Sequence, residues 1–295
     1  MMTTRGHAAS TLIAGTLALA VATTFTPREG HGDPDSADAA VTPESLLGQR
    51  SQYVVPDEDA LTINEPIYFV VGRDEDTTAR FQFSFEYQIF STENKPMPYG
   101  TGWLAPLHFA YTQTSLWNLS EESAPFEDSS YSPSLFWELV HDGASPGVQP
   151  DFLRFGYEHE SNGQAGSASR SIDTLFVQPA WRWSVADRDL VFVPKLYGYI
   201  AKGDENDDIA SFRGHGDFTV RYGSTDGALA QLIYRRGDRG RDAIQLDLSW
   251  PLRTTIAART GGFLHVQLFQ GYGESLLSYD EEQDLQVRIG FSIVR

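Results

Sequence analysis

The run Phe155-Gly156-Tyr157-Glu158-His159-Glu160-Ser161-Asn162-Gly163, followed at short range by Asp173, holds the residue types of an acyl-transfer site. A serine hydroxyl becomes a useful nucleophile when a histidine within hydrogen-bond reach takes its proton and a third group fixes the imidazole tautomer. In an extended strand, side chains two apart share a face, so His159 and Ser161 point the same way. Leu153, Phe155 and Tyr157 share their parity, while Arg154, Glu158 and Glu160 take the other face. If the chain turns around Gly166, antiparallel pairing sets Asp173 beside His159, with the parity of Leu175, Val177, Trp181 and Trp183. A lone His or Ser is usually ordinary surface chemistry. Three polar residues converging on an apolar face are another matter, because a carboxylate there is costly unless a neighbour such as an imidazole accompanies it. Glu158 and Glu160 read as lumen-facing charges without a catalytic part.

An apolar face that carries reactive groups is of no use inside a soluble core, so the surrounding elements decide the matter. Phe81, Phe83, Phe85, Tyr87 and Ile89 alternate with Gln82, Ser84, Glu86 and Gln88. Ile244, Leu246, Leu248 and Trp250 do the same, as do Leu285, Val287, Ile289, Phe291 and Ile293. One apolar and one polar face, strand after strand, predicts an all-β, twelve-stranded antiparallel transmembrane β-barrel. The expected strands are 66–73, 80–90, 103–117, 134–141, 152–162, 172–184, 190–202, 209–223, 228–236, 242–250, 256–270 and 284–294. An even count lets both termini lie on the periplasmic side, with His159 and Ser161 at the outer end of their strand. Ser184 to Asp189 reads as a tight turn, and Leu119 to Pro133 and Gly271 to Asp284 as long loops. Trp103, Trp117, Trp181 and Trp183 fall near strand ends, where amphipathic rings prefer the membrane interface. A soluble sandwich is the competing architecture.

The 295 residues open with Arg5 and His7, then an apolar stretch from Thr11 to Ala22 ending in Ala20-Val21-Ala22. That is the pattern of a secretory signal peptide, residues 1–22, and the stretch falls short of the length of about twenty apolar residues that an uncleaved anchor needs. Residues 23–60 lack periodicity and are rich in Ala, Pro, Asp, Ser and Thr, which predicts a disordered leader before a barrel domain at 61–295. There is no cysteine, which removes disulfides and thiolate chemistry. Forty acidic against twenty-two basic residues disfavour nucleic acid as a partner. The acidic runs at Asp204–Asp208 and Asp280–Glu282 read as solvated loops.

Four separated motifs occur in one order: Ser120-Glu121-Glu122-Ser123 before Pro125-Phe126, Tyr157 to Gly163, Ser169-Arg170-Ser171, and Gly271-Tyr272-Gly273-Glu274-Ser275-Leu276. Together they make the stretch from Ile67 to Phe291 resemble the outer-membrane phospholipase A family. The resemblance implies a barrel in the Gram-negative outer membrane with its active site on the outer wall. It implies calcium-dependent hydrolysis of phospholipid acyl esters by a homodimer, without settling regiospecificity. Carried over by motif, His159 is the general base, Ser161 the nucleophile and Asp173 the third member, where the family usually has Asn. Calcium would be held by Ser123 of one subunit and, in the other, by the Ser169 side chain and the backbone oxygen of Gln164, a position where Arg is familiar. Gln113, an amide among the outward Leu107, Phe109 and Tyr111, is expected to pair with its copy across the dimer. Two other classes stay open: a passive pore using Arg154, Glu158, Arg182 and Arg288, and a lipid-binding barrel without catalysis.

Overall fold

The computed structural model describes residues 61–73, 76–90, 99–141, 149–252 and 261–295. The expected signal peptide and leader lie outside the described residues. The strands are β1 (Leu61–Thr62), β2 (Ile67–Arg73), β3 (Thr77–Gln88), β4 (Leu107–Asn118), β5 (Phe126–Val140), β6 (Phe152–Ser161), β7 (Ser171–Val185), β8 (Arg188–Lys202), β9 (Gly216–Gly223), β10 (Leu229–Arg236), β11 (Asp242–Pro251), β12 (Phe263–Tyr272) and β13 (Glu282–Val294). Every neighbouring pair from β2 to β13 is antiparallel, and β13 pairs back onto β2, which closes the barrel. The two-residue β1 continues the position of β2 along β3, through Leu61 opposite Tyr87. Between β1 and β2 the chain dips into the lumen. There Arg154 Nη1 donates to Asn64 Oδ1 at 2.7 Å, and the Glu65 N–H donates to Ser84 Oγ at 3.1 Å.

Twelve barrel positions match the expectation, as does the sense of the two faces. Leu285, Val287, Ile289, Phe291 and Ile293 are 50–56 % exposed, whereas Arg288 between them is 2 % exposed. A sandwich would bury such a row; here the apolar side chains form a wall that faces hydrocarbon. The polar side closes on itself through ion pairs: Arg154 with Glu86 and Glu138, Lys195 with Glu158, Arg213 with Glu160, Arg235 with Asp217, and Arg288 with Glu274. The pairs Lys195–Glu158, Arg213–Glu160 and Arg235–Asp217 line a lumen cavity of about 290 Å³. Three of the charges that a pore would use, Arg154, Glu158 and Arg288, are thus each engaged by an opposite charge on the lumen side.

Several boundaries differ from expectation. The strand expected at 134–141 begins at Phe126, so the long loop expected from Leu119 to Pro133 shrinks to residues 119–125. Its first half escaped notice because Ser129, Tyr131 and Pro133 put polar or β-breaking residues on the outward parity. The strand expected at 209–223 begins only at Gly216. Ahead of it stands a single helical turn, α1 (Ala210–Arg213), which ends at Gly214 with φ +65°. Trp103 lies in a short 3-10 turn outside β4, its ring stacked on Trp137 at 6.2 Å. Loop length does not sort the two ends, because the end where β2 begins and β13 finishes carries the long connections 89–106 and 141–151 as well as the tight turn at Ala186-Asp187. Pro179 and Pro194 share one gap in the ladder: the β7–β8 pairing skips Gln178–Ala180 opposite Val193–Lys195, where neither proline has an amide to donate.

Candidate active site

β6 and β7 form the hairpin that carries the candidate residues, and its register sets His159 directly opposite Asp173 and Ser161 opposite Ser171. His159 Nδ1 and Asp173 Oδ1 lie 2.8 Å apart. Both side chains are half-buried on the outward face, in the company of the exposed Phe155, Tyr157, Leu175 and Val177. Glu158 and Glu160, the alternate residues, line the lumen cavity, and none of His159, Ser161 and Asp173 does. With Nδ1 engaged by the carboxylate, Nε2 is the ring atom left for a proton from a hydroxyl. Ser161 shares the face of His159, but no hydrogen bond joins the two, and Ser161 Oγ has no partner among the described residues. Catalytic hydrogen bonds are often loose until substrate is bound.

The local structure explains why these groups hold their places. A slip in the β7–β8 register sets Asp173 opposite Ala201 and Thr174 opposite Tyr199, so Ile200 is extra on β8 and the sheet kinks at the carboxylate. Gly156, on the lumen side of β6, has no room for a side chain: a Cβ there would come within 2.3 Å of the Leu135 carbonyl oxygen. That close approach seats β6 against β5. On either side of Ser161 the chain is tied down. Glu160 accepts from Ser130 Oγ at 2.5 Å and from Arg213 Nη1 at 2.9 Å. The buried Asn162 closes the following loop, donating to the Ala168 carbonyl at 2.8 Å and accepting from the Arg170 N–H at 2.9 Å.

The loop after β8 braces the hairpin from behind. Asn206, fully buried, donates to the Ser171 carbonyl at 2.9 Å and accepts the Ser171 N–H at 3.1 Å. Ile209 from the same loop packs with Ile172, Leu276 and Tyr279. The acidic run Asp204–Asp208 is therefore more than a solvated loop: its carboxylate side chains are exposed, while Asn206 within it anchors β7.

Gln164 and Ser169 lie in the loop between β6 and β7, and Ser123 in the loop between β4 and β5, all at the barrel end opposite the start of β2 and the finish of β13. The Gln164 carbonyl and the Ser169 hydroxyl make no hydrogen bond among the described residues, and both are neutral oxygens of the kind a hard cation accepts. Arg170 Nη1 fixes their loop through the carbonyls of Ser167 and Ser169, at 2.8 and 3.0 Å. Ser123 is exposed, with φ +68°, next to Ala124 with φ +40°, a pair of left-handed residues held by bonds from Trp117 Nε1 to the Ala124 carbonyl and from the Ser120 N–H to Asn118 Oδ1. The one cluster of carboxylates and histidine among the described residues that is tight enough for a metal, Glu86, His108 and Glu138, lies far along the lumen, and the Arg154 guanidinium already bonds both of its carboxylates.

One polar group on this wall was not legible in the sequence. The Tyr157 hydroxyl donates to Asp173 Oδ1, the same oxygen that His159 meets, although sequence reading took Tyr157 only as an apolar neighbour. Gln113, on the same wall, accepts from Tyr111 OH and donates to Ser115 Oγ within its own chain, each at 3.2 Å, which leaves its second N–H and second lone pair for a copy across a dimer.

An apolar-walled barrel that displays a His–Asp pair beside a serine toward hydrocarbon defines a class of integral membrane protein with hydrolase-like groups on its outside. The family model for phospholipase A1 matches residues 42–293, and the chain belongs to that family. The phospholipase A1 of Escherichia coli K12 is 30 % identical over 202 residues, which are 67 % of this chain and 65 % of that protein, so the match spans about two thirds of its relative's length. A putative phospholipase A1 of Neisseria meningitidis serogroup B is 29 % identical over 72 % of this chain and 54 % of its own. Among solved structures, outer membrane phospholipase A from E. coli superposes with a TM-score of 0.66 at 23 % identity, over 81 % of this chain and 94 % of that one. The calcium-bound dimer of the Salmonella typhi outer membrane phospholipase gives the same values. The fold is accordingly that of a Gram-negative outer-membrane barrel.

Proposed function

We propose that this barrel is a calcium-dependent phospholipase that hydrolyses the acyl esters of glycerophospholipids and lysophospholipids from the surface of its own wall. The observation that carries the proposal is the His159–Asp173 contact at 2.8 Å, on the face that looks at lipid and two residues from Ser161. Ser161 Oγ attacks the acyl carbonyl while His159 Nε2 takes the hydroxyl proton. His159 then hands that proton to the departing glycerol oxygen as the ester bond breaks. Water, deprotonated by the same nitrogen, attacks the acyl-serine and releases fatty acid and free Ser161. Asp173 holds the Nδ1–H tautomer throughout and offsets the charge of the imidazolium. The Gly163 N–H, at φ +67° and bonded to nothing among the described residues, is available to the developing oxyanion. A calcium ion held by the Gln164 carbonyl, Ser169 Oγ and Ser123 of a second copy would add positive charge beside that oxyanion.

The test is fatty-acid release from phospholipid–detergent micelles by refolded protein. Release that stops with chelator and returns with added calcium is expected. Equal release with chelator would remove calcium from the proposal, and no release under any condition would remove the enzyme. Sedimentation in detergent with and without calcium checks the homodimer. For the third residue, Asp173→Asn is expected to keep turnover within about tenfold of the parent, because an amide oxygen can still accept from Nδ1, whereas Asp173→Ala is expected to lose more. If both variants match the parent, Asp173 has no part in catalysis.

A further inference from the structure

The Tyr157 hydroxyl has no role in the reaction outlined above, yet it lies against the group that orients the base. In the β6–β7 register Tyr157 stands opposite Leu175 and His159 opposite Asp173, so Tyr157 and Asp173 are diagonal neighbours on the outward face. An aromatic side chain is long enough to span that diagonal. Its hydroxyl donates to Asp173 Oδ1, on which His159 Nδ1 also converges. Asp173 Oδ2 carries no hydrogen bond among the described residues, and the two side chains of the His–Asp pair are 34 % and 27 % exposed, beside the exposed apolar Phe155, Leu175 and Val177.

A carboxylate with one donor can rotate about its side-chain torsions and present either oxygen. A second donor, fixed by a rigid ring on the same strand as the base, selects one oxygen and keeps it facing the imidazole. It also supplies polar contact where hydrocarbon supplies none, and a hydrogen bond to a charged acceptor is among the stronger kinds. We propose that Tyr157 is a positioning residue, which locks the Asp173 carboxylate so that His159 is held in the Nδ1–H tautomer with Nε2 free for Ser161. The assignment rests on the phospholipase reading of this site and deepens it. The phenol acts through Asp173, not on the substrate, so its loss should affect the chemical step and not lipid binding, because phenylalanine offers the acyl chains nearly the same apolar surface.

Tyr157→Phe is isosteric at an outward position, so folding should survive, and heat-modifiable migration on gels verifies it. In micelle assays of the full chain, kcat is expected to fall about tenfold with KM within twofold of the parent. Combined with Asp173→Ala, the same substitution should cost nothing further. Nitrogen NMR of labelled histidine should report a single Nδ1–H tautomer for His159 in the parent and tautomer exchange in Tyr157→Phe. Parent kcat in Tyr157→Phe, a change confined to KM, or an equal loss in the two Asp173 backgrounds would each overturn the proposal. Failure of the underlying site is recognised separately, by Ser161→Ala turning over at the parent rate.

Discussion

Ser161→Ala is expected to lower fatty-acid release at least a thousandfold, to about the level left by binding and oxyanion contacts alone. The loss should be in kcat, since the hydroxyl contributes almost nothing to the apolar surface that meets a lipid. Ser161 Oγ has no hydrogen-bond partner among the described residues, and its position faces out, half-buried, so truncation removes no structural contact. Stability is expected to change by no more than about 0.5 kcal/mol, which separates lost chemistry from lost fold. The measurement is a progress curve with phospholipid micelles and calcium, beside an unfolding curve of the same preparation. A variant that keeps a tenth or more of the parent rate would mean that the serine is not the nucleophile, whatever the neighbouring His–Asp pair does.

The wall was legible because its solvent is hydrocarbon. Where lipid selects every second residue, as at Leu285 to Ile293, the alternation is complete and the strand can be read directly. It failed where the wall is polar. Ser129 and Tyr131 occupy outward positions on β5, and Tyr131 pairs with Ser161. The site itself thus interrupts the pattern that would have revealed the strand beside it. The opposite error, extending β9 back to residue 209, came from apolar residues that face inward: Ile209 is fully buried in the cluster that braces the hairpin.

The His159–Asp173 juxtaposition followed from one short hairpin, because a turn near Gly166 fixes which residues stand opposite. Tyr157 could have been reached by the same arithmetic, one diagonal step further. Asn206 could not, since its bonds to Ser171 join positions thirty-five apart through a loop that looks from sequence like exposed charge. The lumen pairs were equally out of reach: the faces of Arg154 and Glu86 follow from parity, but their contact depends on the curvature of the closed barrel.

That contact supplies the largest expected effect on stability. Arg154, 4 % exposed, donates to Glu86 Oε2 at 2.6 Å, to Glu138 Oε2 at 2.7 and 2.9 Å, and to Asn64 Oδ1 at 2.7 Å. Its guanidinium also lies over the rings of Phe136 and Phe152, at 4.7 and 5.0 Å. Arg154→Met keeps most of the stem and removes every donor, leaving two buried carboxylates near one another and near His108. Stranding a buried charge in this way is expected to destabilise the barrel by about 3–5 kcal/mol. Unfolding by guanidinium in lipid vesicles reads the change, with chelator present so that no cation takes the place of the lost guanidinium. Adding Glu86→Gln and Glu138→Gln should recover much of the loss, because neutral amides carry a smaller burial cost than unpaired carboxylates. The folded fraction of Arg154→Met should retain the parent kcat, since Arg154 sits on the lumen side of β6, seven residues before Ser161. A cost below about 1 kcal/mol would mean that water in the lumen, not this arginine, carries the charge of Glu86 and Glu138.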